Sequence, residues 1–400
     1  MRSHDLVLYG ATGFVGKLTA AHLARSAPAG ARIALGGRSR ERLEGFRDSL
    51  GLDWPVVVAD SSDPEALRSL AESTTAVATT VGPYARYGLP LVAACAAAGT
   101  HYADLTGEAL FVRDAIDASH DAAVASGARI VASCGFDSVP SDLGVLLTAE
   151  AARADGAGQL TDTTLVLVSA RGGVSGGTVD SLRGIVDVIS ADADKRKAAA
   201  DPYSLSPDRS AEPDLGRQSD AAGIGRVDGR WTGPFFMAPH NTRIVRRSNA
   251  LQDWVYGRTF RYRELMAFGR GPAGPVLAAA TTAGIAAVGF GLALPPTRAL
   301  LDRVLPKPGE GPSVATQQGG HFRVEVTATT TSGARYRTTV AAQGDPGYAA
   351  TAVMLGESGL CLALDELSSG GGVLTPATAM GDRLVDRLRT AGFTLRTERL

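Results

Sequence analysis

Asp5-Leu6-Val7-Leu8-Tyr9-Gly10-Ala11-Thr12-Gly13-Phe14-Val15-Gly16 is the stretch that decides the fold. An aliphatic run ends in glycines and passes into Lys17-Leu18-Thr19-Ala20-Ala21-His22-Leu23, which reads as strand, tight turn and helix. That is the opening unit of a dinucleotide-binding domain. Gly10 permits the turn, Gly13 lets the backbone approach a pyrophosphate, and Gly16 lets the helix lie close on the strand. Unpaired N–H groups at the helix start then face the anion. Thr12, Phe14 and Val15 complete the expected cofactor loop. The spacing is G-x-x-G-x-x-G rather than G-x-G-x-x-G, so the surrounding sequence has to carry the assignment.

The surroundings agree. A second strand, Ala31-Arg32-Ile33-Ala34-Leu35, runs into Gly36-Gly37-Arg38-Ser39-Arg40, where a carboxylate for the ribose 2′-hydroxyl would otherwise stand. Arg38, Ser39 and Arg40 suit a 2′-phosphate, because a guanidinium presents a fork of charge-assisted donors. The alternative is that the arginines are solvated residues at a helix start. NADP(H) is the expected cofactor. A third strand ends at Asp60-Ser61, expected beside the adenine, and a fourth ends at Val81-Gly82-Pro83-Tyr84, expected near the nicotinamide.

Strand and helix patterns alternate to about residue 150, which predicts a doubly wound parallel sheet of Rossmann type. Residues 1–145 are expected to form the NADP-binding domain, and 146–345 a second α/β domain on a mixed sheet. Residues 346–400 are expected to be helices returning to the first domain. Within the second part, 258–262, 322–328 and 334–340 read as strands, the last two as an antiparallel hairpin. Residues 191–230 read as a long surface loop.

The segment 276–294 carries no charge, is rich in Ala, Gly and Thr, and is closed by Pro295-Pro296. A buried helix or an oligomer contact is the first expectation, which makes a homodimer reasonable. A lipid-facing helix giving peripheral membrane contact, or a span, is the alternative.

Composition narrows the class. Forty Lys plus Arg against 41 Asp plus Glu leave a net charge of −1, so no field recruits nucleic acid. Cys95, Cys134 and Cys361 are too few and too scattered for a disulfide framework or a zinc site, which fits a cytoplasmic protein. Neither a metal site nor a cleaved leader before the first strand is expected.

Gly10 to Gly16, Gly36-Gly37-Arg38-Ser39, Val81-Gly82-Pro83-Tyr84, Ala103-Asp104-Leu105-Thr106-Gly107-Glu108 and Cys134 to Asp142 together resemble the saccharopine dehydrogenase-like reductases. So do Leu305 to Pro312 and Gly371 to Ala377. Within that group the chain looks most like the actinobacterial trans-acting enoyl reductases. The resemblance implies hydride transfer from NADPH to a C=C bond of an acyl or polyketide-derived lipid chain held on a separate carrier. It also admits a saccharopine-type C–N dehydrogenase, or a lipid-associated protein that binds NADP without turnover.

Enoyl reduction needs a hydride, polarisation of the acyl carbonyl and a proton for the α-carbon. Tyr84 and Asp137 are the candidate catalytic residues; Tyr84 has packing behind Pro83 as its alternative. Asp104, Ser138 and Ser175 are candidate substrate-binding residues, although Asp104 and Ser138 would serve equally as helix caps. Gly173-Val174-Ser175-Gly176-Gly177 also matches a hydrolase nucleophile elbow, with His240 and His321 downstream, but a glycine loop shaping the substrate cleft fits better.

Overall fold

The structure, a computed structural model, describes residues 2–172, 176–215, 220, 223–304 and 319–400. The chain opens with β1 (His4–Tyr9), α1 (Phe14–Ser26), β2 (Ile33–Gly37), α2 (Arg40–Ser49), β3 (Val56–Val58), α3 (Pro64–Ser73) and β4 (Thr74–Thr79). It continues through α4 (Tyr84–Ala98), β5 (His101–Ala103), α5 (Ala109–Ser126), β6 (Arg129–Val131) and α6 (Val139–Ala154). Next come β7 (Leu160–Arg171), α7 (Gly176–Ala191), α8 (Ala193–Ala200), β8 (Gly225–Val227), β9 (Arg230–Pro234), α9 (Ala238–Leu251) and β10 (Arg261–Ala267). Then follow α10 (Gly274–Ala293), α11 (Pro295–Val304), β11 (His321–Thr330), β12 (Arg335–Gln343) and α12 (Ala349–Leu364). The chain closes with β13 (Gly372–Leu374), α13 (Pro376–Ala379), α14 (Gly381–Thr390) and β14 (Thr394–Arg399).

The first sheet is parallel throughout, in the order β13-β6-β5-β4-β1-β2-β3. Strand order therefore reverses between β1 and β4, the place where such sheets open a crevice at their carboxyl edge. Both faces are covered, as a parallel sheet requires. Side chains alternate along β1: Leu6 and Leu8 enter the core shared with α1 and α12, whereas Val7 and Tyr9 enter the one shared with α3, α4 and α5. The face against Leu6 is completed by α12, some 350 residues later in the chain. The helix lies close, since a Cβ on Gly359 would stand 3.1 Å from Leu6 Cδ1. His22 Nε2 on α1 meets Glu357 Oε1 on α12 at 2.7 Å.

The second sheet has the order β14-β12-β11-β7-β10-β9-β8 and is mixed: β7 and β10 are parallel and the other pairs antiparallel. Helix α6 leaves the carboxyl edge of β6 and lies on this sheet, with Thr148 Oγ1 2.7 Å from Thr338 Oγ1. The chain is thus an α/β protein with a Rossmann-type sheet and a second, mixed sheet.

Four sequence expectations need correction. Residues 191–230 contain α8, whose first turn is capped by the Asp192 carboxylate, and the β8–β9 hairpin begins at their end. The strand expected at 258–262 is displaced to Arg261–Ala267, because pairing with β7 begins at Arg261↔Asp162. Residues 346–400 are not helices alone: β13 joins the first sheet beside β6, and β14 joins the second beside β12. Finally, α10 is exposed rather than buried: the apolar stretch Gly274–Leu292 has a mean hydropathy of 1.7, with 11% of it buried.

Candidate active site

Gly10 adopts φ +85°, a conformation that side chains resist, and a Cβ there would lie 2.7 Å from Thr80 Oγ1. That hydroxyl donates to the Gly10 carbonyl at 3.0 Å, pinning the turn to the end of β4. Gly16 is closer still, since its Cβ would stand 2.2 Å from the Gly10 oxygen. Gly13 differs from both: it is exposed, has φ −71°, and meets only the Gly10 oxygen at 3.2 Å and Thr80 Oγ1 at 3.9 Å. It occupies the N-cap of α1 without any side-chain cap. The turn thus leaves a helix N-terminus free and an open space beside it, which is what a pyrophosphate requires. Thr12, Phe14 and Val15 around it are half-buried.

At the end of β2, Arg38 is exposed and makes no hydrogen bond or ion pair among the described residues. Its charge contributes to holding the Asp60 carboxyl below the usual range, after the hydrogen bonds from Ser62. Ser39 accepts from Arg42 N at 3.4 Å as the N-cap of α2, and Arg40 reaches Glu44 at 3.5 Å. Ser39 and Arg40 therefore serve the helix, and Arg38 alone stays uncommitted. Asp60 turns its carboxylate to Ser62 N and Oγ at 2.9 and 2.7 Å, with half-buried Ser61 between them.

Val81, Gly82 and Pro83 lead from β4 into α4, and the Gly82–Pro83 bond is cis. Tyr84 is buried. Its Oη donates to Thr79 O at 3.1 Å and accepts from Leu105 N at 3.2 Å. Burial, followed by the Asp104 charge, raises its pKa well above the ordinary tyrosine value. The phenol's one proton is thus engaged with the Thr79 carbonyl inside the fold, the arrangement the packing alternative describes.

Asp104 is engaged within the fold in the same way. Its Oδ1 accepts from Thr106 N and Ser133 N at 3.0 and 2.8 Å, and its Oδ2 from Tyr102 Oη at 2.9 Å. With both oxygens used and no exposure, it braces the loops after β5 and β6 rather than touching a substrate. Ser138 is also fully buried and donates to Asn241 Oδ1 at 3.3 Å. Ser175 lies outside the described residues.

Asp137 stands apart. The residue is half-buried, and its carboxyl makes no hydrogen bond to another residue among those described. A Cβ on Gly107 would lie 3.5 Å from Asp137 Oδ1 and 3.1 Å from Met237 Cε. One on Gly135 would lie 2.7 Å from Leu105 Cδ2, 3.0 Å from Thr351 Cγ2 and 3.3 Å from Asp137 Oδ2. A carboxyl, two glycines and three apolar contacts thus share one wall at the carboxyl edge of the first sheet. Desolvation, with the Asp104 charge behind it, pushes the Asp137 pKa up to about 7. Its neutral, protonated form is thereby favoured relative to an ordinary carboxyl.

Two residues of the sequence motifs, Glu108 and His240, and two outside them, Tyr348 and Ser133, complete the wall. Glu108 accepts from Tyr84 N and Ala85 N at 3.2 and 3.0 Å, placing a carboxylate on the N-terminus of α4, and from Ser181 Oγ of α7 at 2.8 Å. Tyr348, at the start of α12, sets its ring edge-on to Phe14 at 4.9 Å and accepts from Gly176 N at 3.3 Å. Ser133 has φ +64°; its Oγ donates to Thr106 O at 2.7 Å and lies 2.9 Å from His240 Nε2. Burial lowers the His240 pKa to about 3, so the ring is neutral. The contacts of Glu108 with Ser181, of Tyr348 with Phe14 and Gly176, and of Ser133 with His240 join residues more than 70 positions apart, and no local pattern announces them. His321, by contrast, lies on β11, paired across to Arg171 and Gln343. Among the described residues no cluster of His, Cys, Asp or Glu has the makings of a metal site.

Residues 6–131 match the saccharopine dehydrogenase NADP binding domain. A Mycobacterium tuberculosis (strain H37Rv) protein provisionally named a trans-acting enoyl reductase is 56% identical over 416 residues, covering 100% of this chain and 98% of that protein. The trans-acting enoyl reductase of Mycobacterium bovis (strain BCG) is 54% identical over 416 residues, covering 100% and 99%. Among solved structures, apo saccharopine dehydrogenase (L-Glu forming) from Saccharomyces cerevisiae aligns over 99% of each chain with a TM-score of 0.56 and 14% identity, a likeness of fold alone.

Proposed function

The chain belongs to the trans-acting enoyl reductases of the saccharopine dehydrogenase-like group, and from that membership we propose that it reduces a C=C bond of an acyl or polyketide-derived chain with NADPH. Its cofactor is NADP(H) and its class is oxidoreductase. The full-length identity to named enoyl reductases is the observation that carries the substrate class. When bound, NADPH supplies the hydride.

The residues of this chain do the rest. The open N-terminus of α1 beside Gly13 holds the pyrophosphate, and Arg38 takes the 2′-phosphate with its free guanidinium. Leu105, Gly107 and Met237 line the apolar side of the reacting chain. Asp137, protonated in part near neutrality, delivers the proton to the α-carbon. Tyr84 and Glu108 fix the β4–α4 corner on which this wall is built. The acyl chain is held by a separate carrier, the enzyme works in the bacterial cytoplasm, and lipid contact is made through the apolar segment 276–294.

The test is NADPH oxidation by the purified protein, followed by absorbance, with a series of enoyl thioesters. Oxidation that depends on the double bond supports the proposal. Oxidation with a 2-oxo acid plus an amine, and none with enoyl thioesters, would replace it with C–N chemistry. Tight NADPH binding with no turnover on either would leave a binding protein.

A further inference from the structure

Helix α10 runs for 20 residues, about 30 Å at the α-helical rise, and residues 271–297 contain no charged side chain. One stripe is covered, where Ala278 and Leu292 are buried and Gly233 of β9 approaches Ala278 and Thr282. The rest of the circumference is exposed and still apolar: Val276, Leu277, Ile285 and Phe290 stand out among alanines and glycines. Soluble helices turn a polar face to water. Here the end of α10 and the start of α11 carry large exposed apolar side chains, with Phe290 76% exposed, Leu294 57% and Leu300 61%.

We infer that α10 and α11 form a hairpin that inserts its tip into one leaflet of a lipid bilayer, bringing the enzyme to acyl chains held there. Three observations choose lipid over a second copy of the chain. A partner protein covers one stripe of a helix, whereas this helix is apolar around the whole arc left open by its own fold; only hydrocarbon solvates all of it. No charge interrupts 271–297, and Arg298, one turn past the tip, is paired to Asp187, so the last turn of α10 and the α10–α11 corner can enter below the headgroups while Arg298 stays among them. Helix α10 also packs on α7, whose Ser181 reaches Glu108 at the candidate site, so the hairpin is one helix removed from the reacting wall.

The topology excludes a crossing. Strands β10 and β11, which precede and follow the excursion, both pair with β7, and α11 turns back so that Leu301 Cδ1 lies 2.9 Å from a Cβ placed on Gly291. Both ends of the hairpin return to the same sheet and hence to the same side of the membrane.

The inference rests on the proposed function only for the identity of the chain delivered, and its test needs no substrate. Flotation of the full-length protein with vesicles of phosphatidylglycerol and phosphatidylcholine is the assay. Wild type is expected to float, and the double variant Phe290→Asp, Leu300→Asp to lose at least about tenfold in vesicle affinity while binding NADPH as wild type does. Phe290→Trp adds a second readout: its indole is expected to be quenched by lipids brominated on the acyl chain. Failure of wild type to float, equal flotation of the double variant, or an indole left unquenched would each overturn the hairpin. Vesicle binding without enoyl reduction would instead retain the hairpin and remove the proposed reaction.

Discussion

Two glycines three residues apart in one turn should answer substitution in opposite ways. At Gly16 an added methyl falls 2.2 Å from the Gly10 oxygen and 2.9 Å from Ala11 Cα, both backbone atoms that cannot swing aside. The helix must move off the strand by about 1 Å, and overpacking of that kind costs about 2–3 kcal/mol. Gly16→Ala should therefore lower the thermal midpoint by roughly 2–4 °C, since an unfolding entropy of about 2.1 cal/mol/K per residue makes each kcal/mol worth about 1.2 °C in a chain of this length. At Gly13 the same methyl meets only the Gly10 oxygen at 3.2 Å and Thr80 Oγ1 at 3.9 Å, at an ordinary φ. Gly13→Ala should change stability by no more than about 0.5 kcal/mol. It should nonetheless weaken NADPH more than about 100-fold, because the methyl occupies the space the pyrophosphate needs and two charge-assisted hydrogen bonds are lost. Thermal denaturation and calorimetric titration of both variants make the comparison. A Gly13→Ala protein that binds NADPH as wild type does would refute the reasoning, because the open space beside α1 would then not be the phosphate site.

Arg38→Ala should raise the Kd for NADPH about 10- to 100-fold and leave NADH within about twofold, measured by the same titration; equal losses would remove the 2′-phosphate from Arg38. Asp137→Asn should lower turnover at least about 100-fold with little change in NADPH affinity. In the wild type, with the carboxyl pushed up to about 7, kcat should decline as pH rises above that value, and a flat profile there would dismiss Asp137 as the acid. Stability should also follow pH. Burial raises Asp137, Asp142 and Glu264 each to about 7 in the fold, so their contribution is complete below the unfolded carboxyl range and lost as pH rises through about 7. His240, lowered to about 3, contributes in full above its unfolded value of 6.5 and loses that contribution as pH falls below it. The thermal midpoint should thus be higher near pH 6 than near about pH 8.5, and Asp142→Asn should flatten the difference.

Much of the first sheet was legible because its information is local. Alternating burial along β1, glycines at Gly10 and Gly16 and the run into α1 are all within reach of neighbouring residues. The cofactor class was legible for the same reason, since Arg38 stands where β2 ends. The candidate site was less so. Tyr84 and Asp104 carry the right chemistry for catalysis, but the backbone groups of Thr79, Leu105, Thr106 and Ser133 take up their polar atoms, and no pattern of residue types shows a hydrogen bond already made. Asp137 differs from Asp104 by what does not reach it.

Sequence by itself determined the nucleotide turn, the alternation that builds a parallel sheet, the absence of charge over 271–297 and the families the chain resembles. These are properties of short stretches, governed by backbone freedom, hydrophobic period and side-chain charge. Tertiary structure decided which carboxyl stays unpartnered, that α12 closes the face of β1 begun by α1, and that α10 lies outside the core. Each of these depends on which distant surface arrives to cover a group. Desolvation and pairing are set by that arrival, and they leave Asp104 hydrogen-bonded on both oxygens and Asp137 without a side-chain partner among the described residues.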